Sequence, residues 1–207
     1  MEILKGAGTS IIGDVLDRLG GVTGLRRYDN ASTCVVGRAL TVQTRAGDNL
    51  AIYEALSKAK PGEILVVDGG GCLERALVGD LARLYALQRG IVGFVIDGAI
   101  RDVAAFRGSE PFACFARGAS HRGPLKEGPG KVGGPVAIGN HVVFSGDIVV
   151  ADADGIVTFP PARLAEIREL VGARLRAEEE IRAEIRTGNV RQSWIDAAFA
   201  KAGRRLK

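Results

Sequence analysis

The segment GIVGFVIDGAIRD, residues 90–102, combines a predicted buried strand with a pair of charged side chains. Its first seven residues are apolar or glycine, a pattern that predicts a buried strand at Gly93–Asp97 of an α/β sheet. Asp97-Gly98 is a turn signal, and Arg101 and Asp102 follow it. Because open α/β sheets bind ligands at the carboxyl ends of their strands, we expect Arg101 and Asp102 to lie in a binding site.

A second acidic position, Asp80, precedes Arg101 with twenty residues between them. The intervening segment is predicted to form one helix and one strand, so the chain can return Asp80 to the same edge of the sheet. A guanidinium and two carboxylates suit a hard cation such as Mg²⁺ and an anionic, oxygen-rich substrate. Two simpler interpretations remain open: Asp80 as a helix cap, and Arg101–Asp102 as a surface ion pair.

The length and composition are those of one globular domain. A chain of 207 residues can form one sizeable core and is short for two. The net charge of +4 is small, and no basic face with interleaved aromatic residues is visible, so nucleic-acid binding is not expected. Three cysteines without a CxxC spacing are typical of reduced thiols. With neither a secretory signal nor an apolar stretch of membrane-spanning length, the protein is expected to be cytoplasmic and independent of membranes.

Apolar periodicity and turn signals predict alternating strands and helices, followed by a run of short strands and a long helix. The predicted elements are strands at Gly37–Thr44, Glu63–Asp68 and Phe112–Ala116, helices beginning after Thr9-Ser10 and after Gly47-Asp48 and at Leu77–Arg89, three short strands within 136–159, and a helix at Pro161–Arg186. The glycine-rich segment Gly118–Gly134 is expected to be a mobile loop. This order indicates one mixed α/β domain over residues 1–207, with an antiparallel or barrel-like part.

Several further motifs match known sites only in part. The segment Asp152–Gly155 begins like a calcium loop, but the later oxygen ligands are missing, so a hairpin turn is predicted. Gly69–Gly71 follows a predicted strand and lacks the frame of a phosphate-binding loop, so these glycines are expected to let a loop pass close to a substrate or a neighbouring backbone. His121 and His141 stand in no zinc-ligand or catalytic-triad spacing, so no catalytic role is predicted for either.

Seven segments resemble, in the same order, the RraA-like family. They are GRALTVQ, GDNLAIYEAL, PGEILVVD, GDLARLYALQRGIVGFVIDGAIRD, FARG, GDIVVADADGIVTFP and EEEIRAEIRTG. The most specific feature is Asp80, then twenty residues, then Arg101-Asp102. The family includes the class II 4-hydroxy-4-methyl-2-oxoglutarate / 4-carboxy-4-hydroxy-2-oxoadipate aldolases. The resemblance implies a swivelling β/β/α-type fold with a mixed sheet or barrel core, assembled as a homotrimer or homohexamer with the helices at 161–201 at the subunit interface.

The resemblance also implies a role for each residue of the site. Asp102 would bind Mg²⁺ or Mn²⁺ directly, and Asp80 would act on the metal through water. Arg101 would contact the keto oxygen of pyruvate and stabilise its enolate. The backbone N–H groups that would hold the pyruvate carboxylate are those of Gly79, Leu81 and Ala82. A glutamate from a neighbouring subunit would complete the site; the candidates, which otherwise form a solvated helix face, are Glu178, Glu179 and Glu180.

The function implied by the resemblance is that of a divalent-metal-dependent lyase. It would cleave a 4-hydroxy-2-oxo acid to pyruvate and a second oxo acid, and segment 119–134 would select the acid. Oxaloacetate decarboxylation, which passes through the same enolate, is expected as a second activity. The alternative is a non-enzymatic regulator that binds ribonuclease E, a class the family also contains; the basic tail is compatible with it, at Lys201, Arg204, Arg205 and Lys207. The complete set of Asp80, Arg101 and Asp102 favours the enzyme.

Overall fold

The computed structural model describes residues 1–108, 111–188 and 193–204, and a curled sheet of eight strands forms its centre. A separate two-stranded hairpin packs with it. The strands in these ranges are β1 (Arg26–Arg27), β2 (Val35–Thr44), β3 (Glu63–Val78), β4 (Gly93–Ile100), β5 (Ala113–Ala119), β6 (Gly130–Val132), β7 (Val136–Ile138), β8 (His141–Val143), β9 (Ile148–Ala151) and β10 (Ile156–Phe159).

The sheet has the order β1-β5-β4-β3-β2-β9-β10, with β6 also paired to β2. Neighbours among β2, β3, β4 and β5 are parallel, and the other pairs are antiparallel. A bridge between Val22 and Ile156 joins the segment before β1 to β10 at the opposite end of the strand order. The sheet therefore curls into a half-barrel, which confirms the mixed α/β fold with a barrel-like part.

Helices cover the outside of the curled sheet, and a hairpin fills its inside. The helices are α1 (Glu2–Val15), α2 (Leu50–Lys58), α3 (Asp80–Gln88), α4 (Val103–Phe106), α5 (Leu164–Arg186) and α6 (Ser193–Lys201). Because α2, α3 and α4 each join two parallel strands, they return across one face of the sheet and bury an apolar layer there. Inside the curl, the β7–β8 hairpin supplies Val136, Ile138 and Val143 to a second cluster.

Strands β3 and β4 are longer than the sequence predicts. Strand β3 continues past Asp68 to Val78 and includes Gly69–Gly71, so the predicted end of the strand at Asp68 and the predicted helix start at Leu77 are wrong. The expected close approach to a neighbouring backbone is present at Gly69, where a Cβ would lie 2.8 Å from Asp97 O. Its pairing with β4 shifts register three times, and positive φ angles of 65° and 69° at Gly70 and Gly71 accommodate the irregularity. Strand β4 likewise passes through Asp97-Gly98, which is not a turn, and ends at Ile100.

The N-terminal helix begins at Glu2, earlier than the predicted start after Thr9-Ser10. It bends at Gly8, whose φ is 77°, and the part after the bend is capped from a distant segment. The backbone amide and the hydroxyl of Thr9 donate to the Asp152 carboxylate at 2.7 and 2.6 Å. Asp152 also shapes the predicted β9–β10 hairpin turn by accepting from the Asp154 amide at 3.0 Å, so it joins the two elements.

The long C-terminal helix α5 packs mainly against α1 of its own chain. Ile167 and Val171 are fully buried there, and the half-buried Leu164 and Leu175 pack against the same cluster. These buried positions of α5 therefore do not by themselves require a neighbouring subunit, although the resemblance implies that the helices at 161–201 lie at the subunit interface. Leu170 and Ile185 of α5 are exposed. No helix in the described ranges is both long and apolar enough to cross a membrane.

Candidate active site

The candidate site lies at the carboxyl ends of three neighbouring parallel strands. Asp80 opens α3 directly after β3, and Arg101 and Asp102 follow β4. The Asp80 amide donates to Oδ2 of Asp102 at 3.1 Å, and Nε of Arg101 lies 3.5 Å from the same oxygen. The fold thus brings together the three side chains singled out in the sequence. The ion pair between Arg101 and Asp102 is present, but it lies against the N-terminus of α3 and is therefore more than an isolated surface ion pair.

An unusual backbone conformation lets Arg101 and Asp102 face the same cleft. Adjacent residues of a strand point to opposite sides of its sheet, so continued extension would separate these two side chains. Asp102 instead has φ 54° and ψ 43°, in the left-handed region, and this turn ends the strand and begins α4. Aspartate tolerates the left-handed region better than most residues, which makes it suited to this position.

Two glycines leave the space that Arg101 and Asp102 occupy. A Cβ on Gly79 would lie 2.5 Å from Oδ2 of Asp102 and 2.8 Å from Cγ of Arg101. A Cβ on Gly123 would lie 3.1 Å from Nη1 of Arg101. The guanidinium therefore passes between the start of α3 and segment 119–134, and any side chain at Gly79 would displace both charged groups.

Asp80 is held by an arginine that the sequence analysis did not identify. The helix cap of α3 is Gly79, and Asp80 makes no side-chain cap, so the simpler interpretation of Asp80 is wrong. One Asp80 carboxylate oxygen lies 3.3 Å from Nη2 of Arg83, which is only 8% exposed. The spacing of three residues on one helix could have suggested this pair. Arg83 orients the Asp80 carboxylate while much of that carboxylate remains accessible.

The first turn of α3 offers backbone donors to an anion. The Asp80 amide is occupied by Asp102, but the amides of Leu81 and Ala82 have no hydrogen-bond acceptor within the described residues. Unpaired N–H groups at a helix N-terminus favour anionic ligands because both the N–H dipoles and the helix dipole point towards them. A carboxylate bound there would lie next to Arg101 and Asp102.

A cleft of ≈ 500 Å³ opens between the ends of β4 and β5. It is lined by Arg101, Asp102, Val103, Ala119, Ser120 and His121. His121 was given no role in the sequence analysis because it belongs to no metal or triad motif. The signal that could have found it is its position two residues after β5, which ends at Ala119. The other histidine, His141, is half-buried and bonded to Thr158 Oγ1 at 2.7 Å, away from this cleft, and burial lowers its pKa.

The segment 119–134 is anchored where it borders the cleft. The Ser120 amide donates to Ile100 O at 2.9 Å, and the Ala76 amide donates to Arg122 O at 2.8 Å. Further along, buried Asp48 accepts from the amides of Glu127 and Gly128 at 2.6 and 3.0 Å. Residues 130–132 form strand β6. The segment predicted to be a mobile loop is therefore bonded to the body of the protein at these positions.

The pKa of Asp48 reflects the hydrogen bonds that its carboxylate accepts from backbone amides. Burial by itself raises the pKa of the Asp48 carboxyl, but hydrogen bonds from the amides of Leu50, Glu127 and Gly128 outweigh it. The net result is a pKa below the ordinary value of 3.8. The ionised carboxylate therefore stabilises both the start of α2 and the outer part of segment 119–134.

A single chain offers a divalent cation two carboxylates at this site, those of Asp80 and Asp102. In the described part of the chain, no group of three or more His, Cys, Asp or Glu side chains is arranged to hold a metal. Glu178 and Glu179 form ion pairs along α5, with Arg174, Arg182 and Arg186. Glu180 forms no ion pair among the described residues. The single chain thus does not bring these glutamates to Asp80 and Asp102.

The chain matches the model of a known protein family over residues 9–158. The family is described as "RraA-like: Aldolase/RraA". A protein of Halalkalibacterium halodurans named "Putative 4-hydroxy-4-methyl-2-oxoglutarate aldolase" is 36% identical over 182 residues, which cover 88% of this chain and 86% of that protein. The family match spans the part of this chain that contains Asp80, Arg101 and Asp102.

Two solved structures share the fold. An uncharacterized protein from Pseudomonas syringae pv. tomato is 28% identical and has a TM-score of 0.79, covering 91% of this chain and 90% of that one. RraAS2 from Streptomyces coelicolor, described as an unusual member of the RNase ES inhibitor RraA protein family, is 26% identical with a TM-score of 0.78, covering 86% and 93%. The similar proteins therefore include both a protein with the name of a putative aldolase and a member of an inhibitor family.

Proposed function

The chain belongs to the RraA-like family, and we propose that it is a divalent-metal-dependent lyase that cleaves a 4-hydroxy-2-oxo acid to pyruvate and a second oxo acid. The observation that carries this proposal is the convergence of Asp80, Arg101 and Asp102 beside the unpaired amides of α3. The name of the Halalkalibacterium halodurans relative supports the same reaction class. A 4-hydroxy-4-methyl-2-oxoglutarate-type acid is the first substrate to test.

The reaction requires stabilisation of negative charge on one oxygen. A base removes the proton of the 4-hydroxyl, the C3–C4 bond breaks, and its electron pair forms the enolate of pyruvate while C4 becomes a carbonyl carbon. Protonation of C3 then completes pyruvate. Arg101 contributes a fixed positive charge at the keto oxygen, where charge grows as the bond breaks, so it lowers the energy of the transition state more than that of the bound substrate.

The α3 N-terminus would orient the pyruvate half of the substrate. The backbone amides of Leu81 and Ala82, together with that of Gly79, would donate hydrogen bonds to its carboxylate. The keto group would then face Arg101, because Arg101 lies against Gly79. Binding one carboxylate at a helix end and the adjacent keto oxygen at a guanidinium fixes the orientation of the bond that breaks.

The carboxylates of Asp102 and Asp80 fit a hard cation such as Mg²⁺ or Mn²⁺. Such ions use oxygen ligands and commonly take only one or two protein carboxylates, with water and substrate completing the shell. The side chain of Asp102 is 46% exposed, and the missing Cβ of Gly79 keeps room beside it. Asp102 would hold the metal directly and Asp80 through water. When bound, the metal would supply a second positive charge at the keto oxygen.

Oxaloacetate decarboxylation would follow from the same arrangement. Loss of CO₂ from oxaloacetate breaks the corresponding C–C bond and leaves the same pyruvate enolate. The groups assigned to the pyruvate half, Arg101 and the α3 amides, would act on both reactions without change. Oxaloacetate is therefore expected to be a second substrate.

We further propose that the site is completed by a second copy of the chain in a homotrimer or homohexamer. Helix α3 presents an exposed apolar surface next to the cleft: Leu81 is 71% exposed, and Leu84 and Tyr85 are 42% and 40% exposed. An apolar surface beside a polar cleft favours burial against another chain. The neighbour's α5 would bring a glutamate to the metal, and Glu180 is the best candidate of the three because Glu178 and Glu179 are already paired.

The shared site can be tested by sedimentation and complementation. An Arg101→Ala chain and a chain carrying Glu178→Gln, Glu179→Gln and Glu180→Gln should each lose most of their activity. After subunit exchange, a mixture should regain part of the activity because some clefts then combine intact residues from both chains. A fully active monomer would refute the shared site, as would a lack of complementation despite demonstrated exchange.

A pyruvate-release assay coupled to lactate dehydrogenase tests the lyase itself. The wild-type protein should release pyruvate from 4-hydroxy-4-methyl-2-oxoglutarate and from oxaloacetate with Mg²⁺ or Mn²⁺, and EDTA should abolish the release. Asp102→Asn preserves the size of the side chain but removes its charge, so it should lose both activity and metal dependence. Turnover that survives exhaustive chelation would exclude this mechanism.

Similarity to RraAS2 supports a second candidate function, regulation of an RNA-degrading enzyme. Exposed Lys201 and Arg204 form the described part of the basic tail; Arg205 and Lys207 lie outside the described residues. A pull-down with ribonuclease E at physiological salt, combined with an RNA-cleavage assay, distinguishes the regulator from the lyase. Inhibition of ribonuclease E without pyruvate release would favour the regulator over the lyase.

A further inference from the structure

The candidate site continues past Arg101 to the end of a third strand. Strands β3, β4 and β5 are adjacent and parallel, so the residues that follow them lie in a row along one edge of the sheet. The row runs from the start of α3, through Arg101 and Asp102, to Ser120 and His121. Neighbouring strands are about 4.8 Å apart, so the row is long enough for an extended oxo acid of five or six carbons.

The proposed function assigns the first two positions of this row to the pyruvate half of the substrate. The carboxylate would lie at α3 and the keto oxygen at Arg101. The carbons beyond C3, which leave as the second oxo acid, then have the cleft between β4 and β5 available to them. Its far wall consists of Ala119, Ser120 and His121.

On that wall, His121 is the side chain with free hydrogen-bonding groups. The Ser120 hydroxyl donates to Glu74 O at 2.9 Å and accepts from the Arg122 amide at 3.3 Å, so it is already engaged. The exposed ring of His121 has no hydrogen-bond or ion-pair partner within the described residues. Ala119 offers no polar group on its side chain.

The backbone on both sides of His121 is fixed. Ser120 is tied to β4 through Ile100 O, and Arg122 is tied to β3 through the amide of Ala76. The Gly123 carbonyl accepts a further bond from Nη1 of Arg75 at 3.0 Å. His121 therefore projects from an anchored turn, so substrate binding would need to order its side chain but not the backbone that carries it.

We propose that His121 is a specificity-determining residue that donates a hydrogen bond to a second carboxylate of the substrate, on the half that leaves as the second oxo acid. This inference rests on the proposed lyase function. An imidazole carries at least one N–H donor whether it is neutral or protonated, whereas a carboxylate offers only acceptors, so the pair is complementary in either state. His121 would thus select dicarboxylic 4-hydroxy-2-oxo acids over analogues with an apolar end.

Two matched substrates isolate this contact. 4-Hydroxy-4-methyl-2-oxoglutarate carries the second carboxylate, and 4-hydroxy-4-methyl-2-oxopentanoate has a methyl group in its place; both release pyruvate. In the coupled assay, His121→Ala should lower kcat/KM for the dicarboxylic acid by roughly 10- to 100-fold, the range expected for a hydrogen bond to a charged group. It should change kcat/KM for the methyl analogue by no more than about twofold, and His121→Gln, which keeps an N–H donor, should restore part of the selectivity.

The neighbouring exposed Arg122 provides the control. Its side chain does not line the cleft, so Arg122→Ala should leave the ratio of the two kcat/KM values near that of the wild type. If Arg122→Ala lowers the ratio as much as His121→Ala, general positive charge causes the selectivity and the proposal is wrong. Equal losses on both substrates, or no loss on the dicarboxylic acid, would also overturn it. If the wild-type protein releases pyruvate from neither acid, the lyase assignment itself fails and this role of His121 fails with it.

Discussion

Replacing Gly79 with alanine should damage the site without disturbing the fold. The new Cβ would lie 2.5 Å from Oδ2 of Asp102, whereas Cβ contacts shorter than 3.0 Å essentially do not occur in proteins. The Asp102 carboxylate must therefore move by at least about 0.5 Å, and Arg101, with Cγ at 2.8 Å and Nε at 3.2 Å from the same point, must move with it. Gly79 has φ −156°, an extended conformation open to alanine, so the substitution introduces no backbone strain.

The size of the effect follows from that displacement. A shift of about 1 Å in a catalytic group can cost roughly 100-fold in rate, so a shift of half that size or more should lower kcat/KM by roughly 10- to 100-fold. This range corresponds to about 1.4 to 2.8 kcal/mol of transition-state stabilisation. The coupled pyruvate assay measures the loss, and titration with Mn²⁺ should show weaker binding because Asp102 is displaced.

Gly13→Ala is the matched control for this experiment. Gly13 lies in α1, on a different part of the fold, and a Cβ there would meet no atom within 4 Å. Alanine in the helix should leave kcat/KM unchanged and stabilise the fold by up to about 1 kcal/mol. If Gly79→Ala folds normally and keeps wild-type kcat/KM and Mn²⁺ affinity, the inferred crowding of Arg101 and Asp102 is wrong.

Three further changes test other parts of the site. Arg101→Ala should lower kcat in the pyruvate assay by roughly 100- to 1000-fold, because charge stabilisation at the keto oxygen is lost; normal turnover would remove Arg101 from this role. Arg83→Met should lower kcat/KM by roughly 10-fold through loss of the orientation of Asp80, and an Asp80→Asn background should largely cancel that effect. Asp48→Asn should lower the free energy of unfolding at pH 7, measured by urea denaturation. Because the folded-state pKa of Asp48 is lowered, this difference should be fully present above pH 3.8 and shrink as the pH falls through the lower folded value; a difference independent of pH would contradict the assignment.

The broad architecture could be predicted because local patterns determine it. Alternating apolar runs and helical periods over the first half indicated parallel strands joined by helices, and turn signals at Asp152–Gly155 correctly indicated a hairpin. The errors concern features that depend on distant partners. Strand β3 runs on to Val78 because β4 pairs with it beyond the glycines, and α1 depends on Asp152, which is 143 residues from Thr9 along the chain.

The convergence of the three charged residues of the candidate site was predictable because each directly follows a strand or begins the next helix. Their relative orientation was not. Arg101 and Asp102 are sequence neighbours, and only the left-handed conformation of Asp102 turns both side chains towards one cleft. Arg83 was missed because its partner, Asp80, was interpreted through the metal and the helix cap, and burial of an arginine cannot be seen in one sequence.

His121 follows a parallel strand in the same way as Arg101 does, so the argument that placed Arg101 at the edge of the sheet also applies to His121. In a parallel sheet, the residues after neighbouring strands share one edge, so a residue that follows β5 has the same claim to the site as one that follows β4. The predicted strand ends at Ala116, whereas β5 continues to Ala119 and places Ser120 and His121 at the cleft. Metal-site and triad motifs do not reveal such a histidine, because each of those motifs requires a second ligand or catalytic residue in the same chain. In the proposed arrangement the partner of His121 is the substrate, and because no partner of its ring lies among the described residues, its N–H groups are available to that substrate.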